Sequence, residues 1–161
     1  MTVEQICVRI RPAQIVVLAL AMGMMAFAGV TIVLVRGGHP PAMAGDVAVI
    51  RNVARGLVFL GVVLGWLLWK GSCRQARRRV EGLDENDALD ALLPIFQTGL
   101  ITRAALLEGP GLFCIVTALL SGELWMLAWG AASIAGLVAI FPTTGTYLRF
   151  VQDARGAAGV R

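Results

Sequence analysis

Residues 101–120 read ITRAALLEGPGLFCIVTALL, and the number of helices that cross a membrane depends on how this stretch is read. Leu106, Leu107, Leu112, Phe113, Ile115, Val116, Leu119 and Leu120 together favour insertion by roughly 3 to 4 kcal/mol, whereas a central acidic residue costs about 3 kcal/mol on the same scale. Glu108 therefore leaves the stretch near balance. It enters a bilayer only with a hairpin partner, or with its carboxyl kept from being a bare charge in lipid. Pro110 has no N–H to give the carbonyl of Leu106 and its ring crowds that group, while Gly109 and Gly111 leave room around the bend. The prediction is a polar notch of one carboxyl and one freed carbonyl, in the half of the span away from Ser121. Arg103 is a candidate partner for Glu108, although five residues apart on a helix is off-face. Burial would raise the pKa of Glu108 and an arginine would lower it, so the sequence leaves its protonation state open.

The rest of the chain supports a membrane reading. Of 161 residues, 58% are hydrophobic and 15% charged, far from the balance of a soluble domain. PAQIVVLALAMGMMAFAGVTIVLV, residues 12–35, carries no charge and predicts a first span over 14–35. Ala42-Met43-Ala44 before Gly45 resembles a leader cleavage site, but the apolar run is too long for a leader core, so the segment is expected to remain attached. RGGHPPAMAGD, 36–46, is turn chemistry, and His39 within it reads as solvated.

GLVFLGVVLGWLLW, 56–69, covers only about 21 Å as a helix, so the second span must extend back, to about 47–69. That extension puts Arg51 and Arg55 one turn apart on one face. They either snorkel to the headgroups or form a cationic face for an acidic ligand, an anionic lipid or a partner helix.

Residues 70–94, KGSCRQARRRVEGLDENDALDALLP, predict a cytoplasmic loop with a short amphipathic helix. It would start near Asp84–Asp87 and lay Leu89, Leu92, Leu93 and Phe96 on the bilayer, with Pro94 ending it or opening the next helix. A third span over 102–121 then turns at Ser121-Gly122-Glu123 into a fourth over 124–141, packed through Gly130, Ala132, Ser133 and Gly136. The C-terminal tail is 149–161; Tyr147, Arg149 and Phe150 mark the interface, and QDARGAAGVR, 152–161, is expected to fray. The fold class is thus all-α, integral membrane, in one domain.

With four spans, Arg9 and Arg11, the cluster from Lys70 to Arg79, and Arg149, Arg155 and Arg161 share one side. The positive-inside rule then puts both termini in the cytoplasm of an inner-membrane protein. The basic residues flank apolar runs rather than sitting among aromatics on a soluble face, which argues against nucleic acid as a partner. Cys7, Cys73 and Cys114 are odd in number and widely spaced, which predicts neither disulfides nor a metal site, and no cofactor motif is present. Cys73 beside Arg74 is the one candidate for an activated thiol, an ordinary free thiol being the default. No constellation of His, Ser/Asp or paired acids suggests an enzyme.

LLEGPGLFCIVTALL, 106–120, resembles in part the carboxylate-bearing helix of the proteolipid ring subunits of rotary ATPases, and Arg74-Gln75 is similar to that family's Arg-Gln loop. The resemblance implies proton or sodium carriage by Glu108. The chain departs from it in three ways: the first two helices lack the dense glycine repeat, Ala76 stands where proline is usual, and Arg74 lies too far ahead of Glu108 for a simple hairpin. Arg103, Leu107-Glu108-Gly109 and Phe141-Pro142 are similar to the pattern of small four-span bacterial membrane proteins, which implies the topology and no activity. The expected function is non-enzymatic: an accessory or assembly subunit whose Glu108 notch docks an internal arginine or the helix of a partner, a second copy included. The alternative is a small transporter or ion-translocating subunit with Glu108 as its protonatable site.

Overall fold

The computed structural model describes residues 3–38 and 47–156, and these are helical throughout apart from short links, with no strand among them. The helices are α1 (Val3–Arg36), α2 (Val47–Arg79), α3 (Glu85–Ser121), a single 3₁₀ turn (Leu124–Met126), α4 (Leu127–Ala139) and α5 (Thr144–Gly156). His39 and the Ala42-Met43-Ala44 segment lie outside the described residues.

α3 is the central post, with α1, α2 and α4 all packed along it. Its C-terminus is closed as the Ser-Gly-Glu turn requires. Gly122 takes φ 72° and donates its N–H to the Ala118 carbonyl at 3.0 Å, a left-handed cap that only glycine adopts without strain. Thr117 and Ser121 donate their hydroxyls back to the Phe113 and Thr117 carbonyls at 2.8 and 2.7 Å, so these polar groups are satisfied within the helix.

α1, α2 and α3 are each long and apolar enough to cross a membrane, and α4 with α5 makes a fourth candidate bent by 70°. The outward faces agree with that count. Large apolar side chains stay exposed from Ile15 to Val33 on α1 and from Val49 to Leu68 on α2. Each run is about 27 to 29 Å long at ~1.5 Å per residue, close to the ~30 Å of a hydrocarbon core. A soluble monomer does not present an apolar band of that extent.

Below this band the helices do not stop, and here the structure departs from the sequence-based reading. The predicted loop 70–94 is mostly helix: α2 runs to Arg79, and only Val80–Asp84 link it to α3. The amphipathic piece is the first three turns of α3, and it does not face the bilayer. Leu89, Leu92, Leu93 and Phe96 are buried against Ile6 and Ile10 of α1, Ala76 of α2, and Tyr147, Phe150 and Val151 of α5. Pro94 neither ends nor starts a helix; it sits inside α3, exposed, with the Asp90 carbonyl that it leaves free on an exposed residue. The tail is a formed helix through Gly156, because Tyr147, Phe150, Val151 and Ala154 fall on one face and pack into the same cluster.

Polar contacts fasten this end. Arg9 pairs with Asp90, Gln97 donates to the Arg9 carbonyl at 2.6 Å, and the Tyr147 hydroxyl donates to the Leu89 carbonyl. Gln14 donates to the Pro142 carbonyl at 2.9 Å, which satisfies backbone at the bend between α4 and α5. Arg9, Arg77 and Arg149 all lie at this basic end.

Candidate functional site

The Pro110 notch forms, but it is filled. Gly61 of α2 is buried against the Leu106 carbonyl; a Cβ built on Gly61 would collide with that oxygen and stand 3.1 Å from the Pro110 ring. The freed carbonyl therefore meets backbone from a neighbouring helix, a Cα–H···O approach that only a glycine permits. Gly65, one turn on, faces the Arg103 side chain, with 3.4 Å between its notional Cβ and Arg103 Cγ. Gly61-Val-Val-Leu-Gly65 is a small-xxx-small motif, a signal present in the sequence that went unremarked there, and it marks the α2–α3 seam. On the other side of α3, Gly111 packs on Ser133 and Met24, Gly130 on Ile115, and Gly136 on Leu107. Of the predicted small face, Gly130 and Ser133 are buried and Ala132 is exposed.

Glu108 lies at the edge of this packing. It is half-buried, Ala105 and Gly109 beside it are exposed, and a Cβ on Gly109 would meet nothing within 4 Å. The pairings Arg9–Gln97 and Met24–Gly111 show that α1 and α3 run parallel, which sets Glu108 level with Ala21. Opposite Gly61, that level lies about 4 Å from the middle of the apolar band toward the basic end. Glu108 forms no hydrogen bond or ion pair with the described residues. The structure does not bring Arg103 to it: Arg103 turns to α2, with its guanidinium 5.9 Å from the Trp69 ring.

The predicted cationic face has a partner inside the chain. Arg51 pairs with Glu123 at 3.2 Å, Trp125 donates its indole N–H to the same carboxylate at 2.8 Å, and Arg55 stacks 4.4 Å over the Trp125 ring. The Trp125 hydrogen bond, ahead of the opposing effect of desolvation and assisted by Arg51 and Arg55, holds the Glu123 carboxyl below the usual carboxylate range. This cluster ties α2 to the α3–α4 turn. Glu123 went unremarked in the sequence except as a turn residue, because its partner lies 72 positions away.

The surroundings of Cys73 do not favour its thiolate. Burial pushes its thiol up, and this outweighs the lowering by Arg77. Cys114 is fully buried and Cys7 is exposed, with its sulfur 3.1 Å from the Thr144 hydroxyl. Among the described residues no group of His, Cys, Asp or Glu could hold a metal ion. Compared with protein-family models, curated proteins and solved structures, the chain matches none.

Proposed function

We propose that the chain is a four-span inner-membrane protein with both termini cytoplasmic, acting without catalysis as an accessory or assembly subunit of a membrane complex. Its docking contact is the edge of α3 that carries Ala105, Glu108 and Gly109. The observation behind this reading is a carboxyl group at the level of the apolar band, half-buried and unpaired among the described residues, beside a glycine with open space over it. An acidic group at that depth is costly and is retained where something receives it. A helix from another subunit, or from a second copy, bearing an arginine or a hydrogen-bond donor would complete the contact. The gathering of Arg9, Arg77 and Arg149 at one end supports the orientation through the positive-inside rule.

Ion translocation by Glu108 has less support, since the chain departs from the ring subunits it partly resembles in its glycine pattern, at Ala76 and in the spacing of Arg74 from Glu108. Glu108→Gln separates the two. Under the docking reading, proteins that co-purify from native membranes in mild detergent are lost from the variant. Under the carrier reading, the complex survives and pH-driven flux disappears. Unchanged co-purification together with unchanged flux defeats both.

A further inference from the structure

α2 and α4 meet only sparsely, and α5, turned by 70°, returns against α2 at the basic end. The space between these helices is a groove in two parts. At the basic end a cavity of about 340 Å³ lies between Arg77 of α2 and Arg149 of α5, with Trp69 and Phe150 as apolar wall and Thr146 also lining it. Toward the Glu123 end an apolar slot of about 210 Å³ is lined by Gly61, Gly65, Gly136 and Ala139, among others. Arg103 lines the slot and its guanidinium lies 5.9 Å from the ring of Trp69, which lines the cavity, so the two parts are neighbours.

We propose that this groove holds one anionic phospholipid, its phosphate between Arg77 and Arg149 and the upper part of an acyl chain in the slot. Two guanidinium forks from different helices, neither in an ion pair among the described residues, suit the oxygens of a phosphate. The arginines outnumber the one acidic residue of the cavity, Asp153, so the cavity carries net positive charge. Asp153 supplies an acceptor for the hydroxyl of a glycerol-type headgroup, and the net positive charge of the cavity disfavours the choline cation. Cys73, also in the wall, has its thiol pushed up by burial and adds no negative charge at neutral pH. From Arg77 to Gly65 is about 18 Å along α2, the length of a headgroup with the first part of its chain. Glycine and alanine at the slot leave the width that a methylene chain needs. Basic pockets between helices at a membrane surface are the usual seats of anionic lipids. The inference rests on the membrane placement proposed above and is independent of the docking role of Glu108.

The test is native mass spectrometry of the full chain in detergent, titrated with phosphatidylglycerol or with phosphatidylcholine of the same chains. One phosphatidylglycerol should be retained in preference to phosphatidylcholine by roughly tenfold or more. Millimolar inorganic phosphate should leave that lipid bound; displacement by phosphate would reassign the cavity to a soluble phosphate. Arg77→Gln with Arg149→Gln should abolish the preference, whereas Arg78→Gln with Arg79→Gln, an equal loss of charge, should keep it. Ala139→Phe, which fills the slot and leaves both arginines in place, should lower lipid retention, and Glu108→Gln should not change it. Equal retention of the two lipids, or equal loss in the two double variants, would overturn the proposal.

Discussion

Gly61 is seated against the carbonyl of Leu106, the acceptor that Pro110 leaves without its helical donor. One helix thus closes the defect that proline opens in the next, and the closure depends on the absence of a side chain. A larger residue at 61 must push α2 off α3 or bend α3 further. Gly61→Val is expected to destabilise the folded chain by about 1 to 3 kcal/mol, the usual range for overpacking. Gly56→Ala is the control: nothing lies within 4 Å of a Cβ there, and alanine in a helix is favoured over glycine by about 0.5 to 1 kcal/mol. Thermal unfolding in detergent should rank the variants as Gly56→Ala, native, Gly61→Val, from most to least stable.

The Glu123 carboxyl has a folded pKa below its ordinary value, because Trp125 and then Arg51 favour the ionised form. A depressed carboxylate contributes stability above its unfolded pKa of about 4.3, and loses it as pH falls through the lower folded value. The thermal midpoint should therefore drop on acidification from pH 5 toward pH 2. Glu123→Gln should flatten that part of the profile, and the difference between the two profiles isolates the Glu123 contribution.

Tyr147 is the only tyrosine, so its titration can be followed in the intact protein. Burial, ahead of the raising by Asp90 and the lowering by Arg9, pushes its hydroxyl up to about 12. A raised pKa stabilises the fold at pH values below the unfolded value of about 10, and that contribution is lost as pH climbs through the folded one. At pH 11 tyrosinate absorbance should reach only about a tenth of its full value in the folded chain and about nine-tenths on denaturation. Tyr147→Phe should cost about 0.5 to 1.5 kcal/mol, the range for one buried hydrogen bond, with the aromatic packing on Phe96 kept.

The apolar stretches, the hairpin turn at Gly122 and the weakness at Pro110 were legible because each is local: runs of oil-soluble residues, a glycine where φ must be positive, a ring without an N–H. The fate of Leu89, Leu92, Leu93 and Phe96 was not. An apolar stripe at helical spacing fits a bilayer surface and a protein core equally well, and only the arrival of α1 and α5 decides between them. The stripe of Tyr147, Phe150, Val151 and Ala154 was readable too, but Tyr147 and Phe150 read as interface markers and Ala154 lay in the stretch expected to fray. Arg51 and Arg55 could be placed on one face, to snorkel or to meet an acidic partner, and the sequence left the two open. The partner of Arg51, Glu123, emerges only when α2 is folded against the α3–α4 turn.

The claim that the Glu108 edge of α3 receives another helix is tested most directly in intact membranes. A photoreactive phenylalanine analogue replaces Ala105, which is exposed beside Glu108, or Gly23, which is exposed on α1, and the membranes are irradiated before any detergent is added. A discrete protein adduct is expected from position 105, abolished by Glu108→Gln, and lipid adducts alone from position 23. Lipid adducts alone from position 105, with Glu108 intact, would contradict the claim.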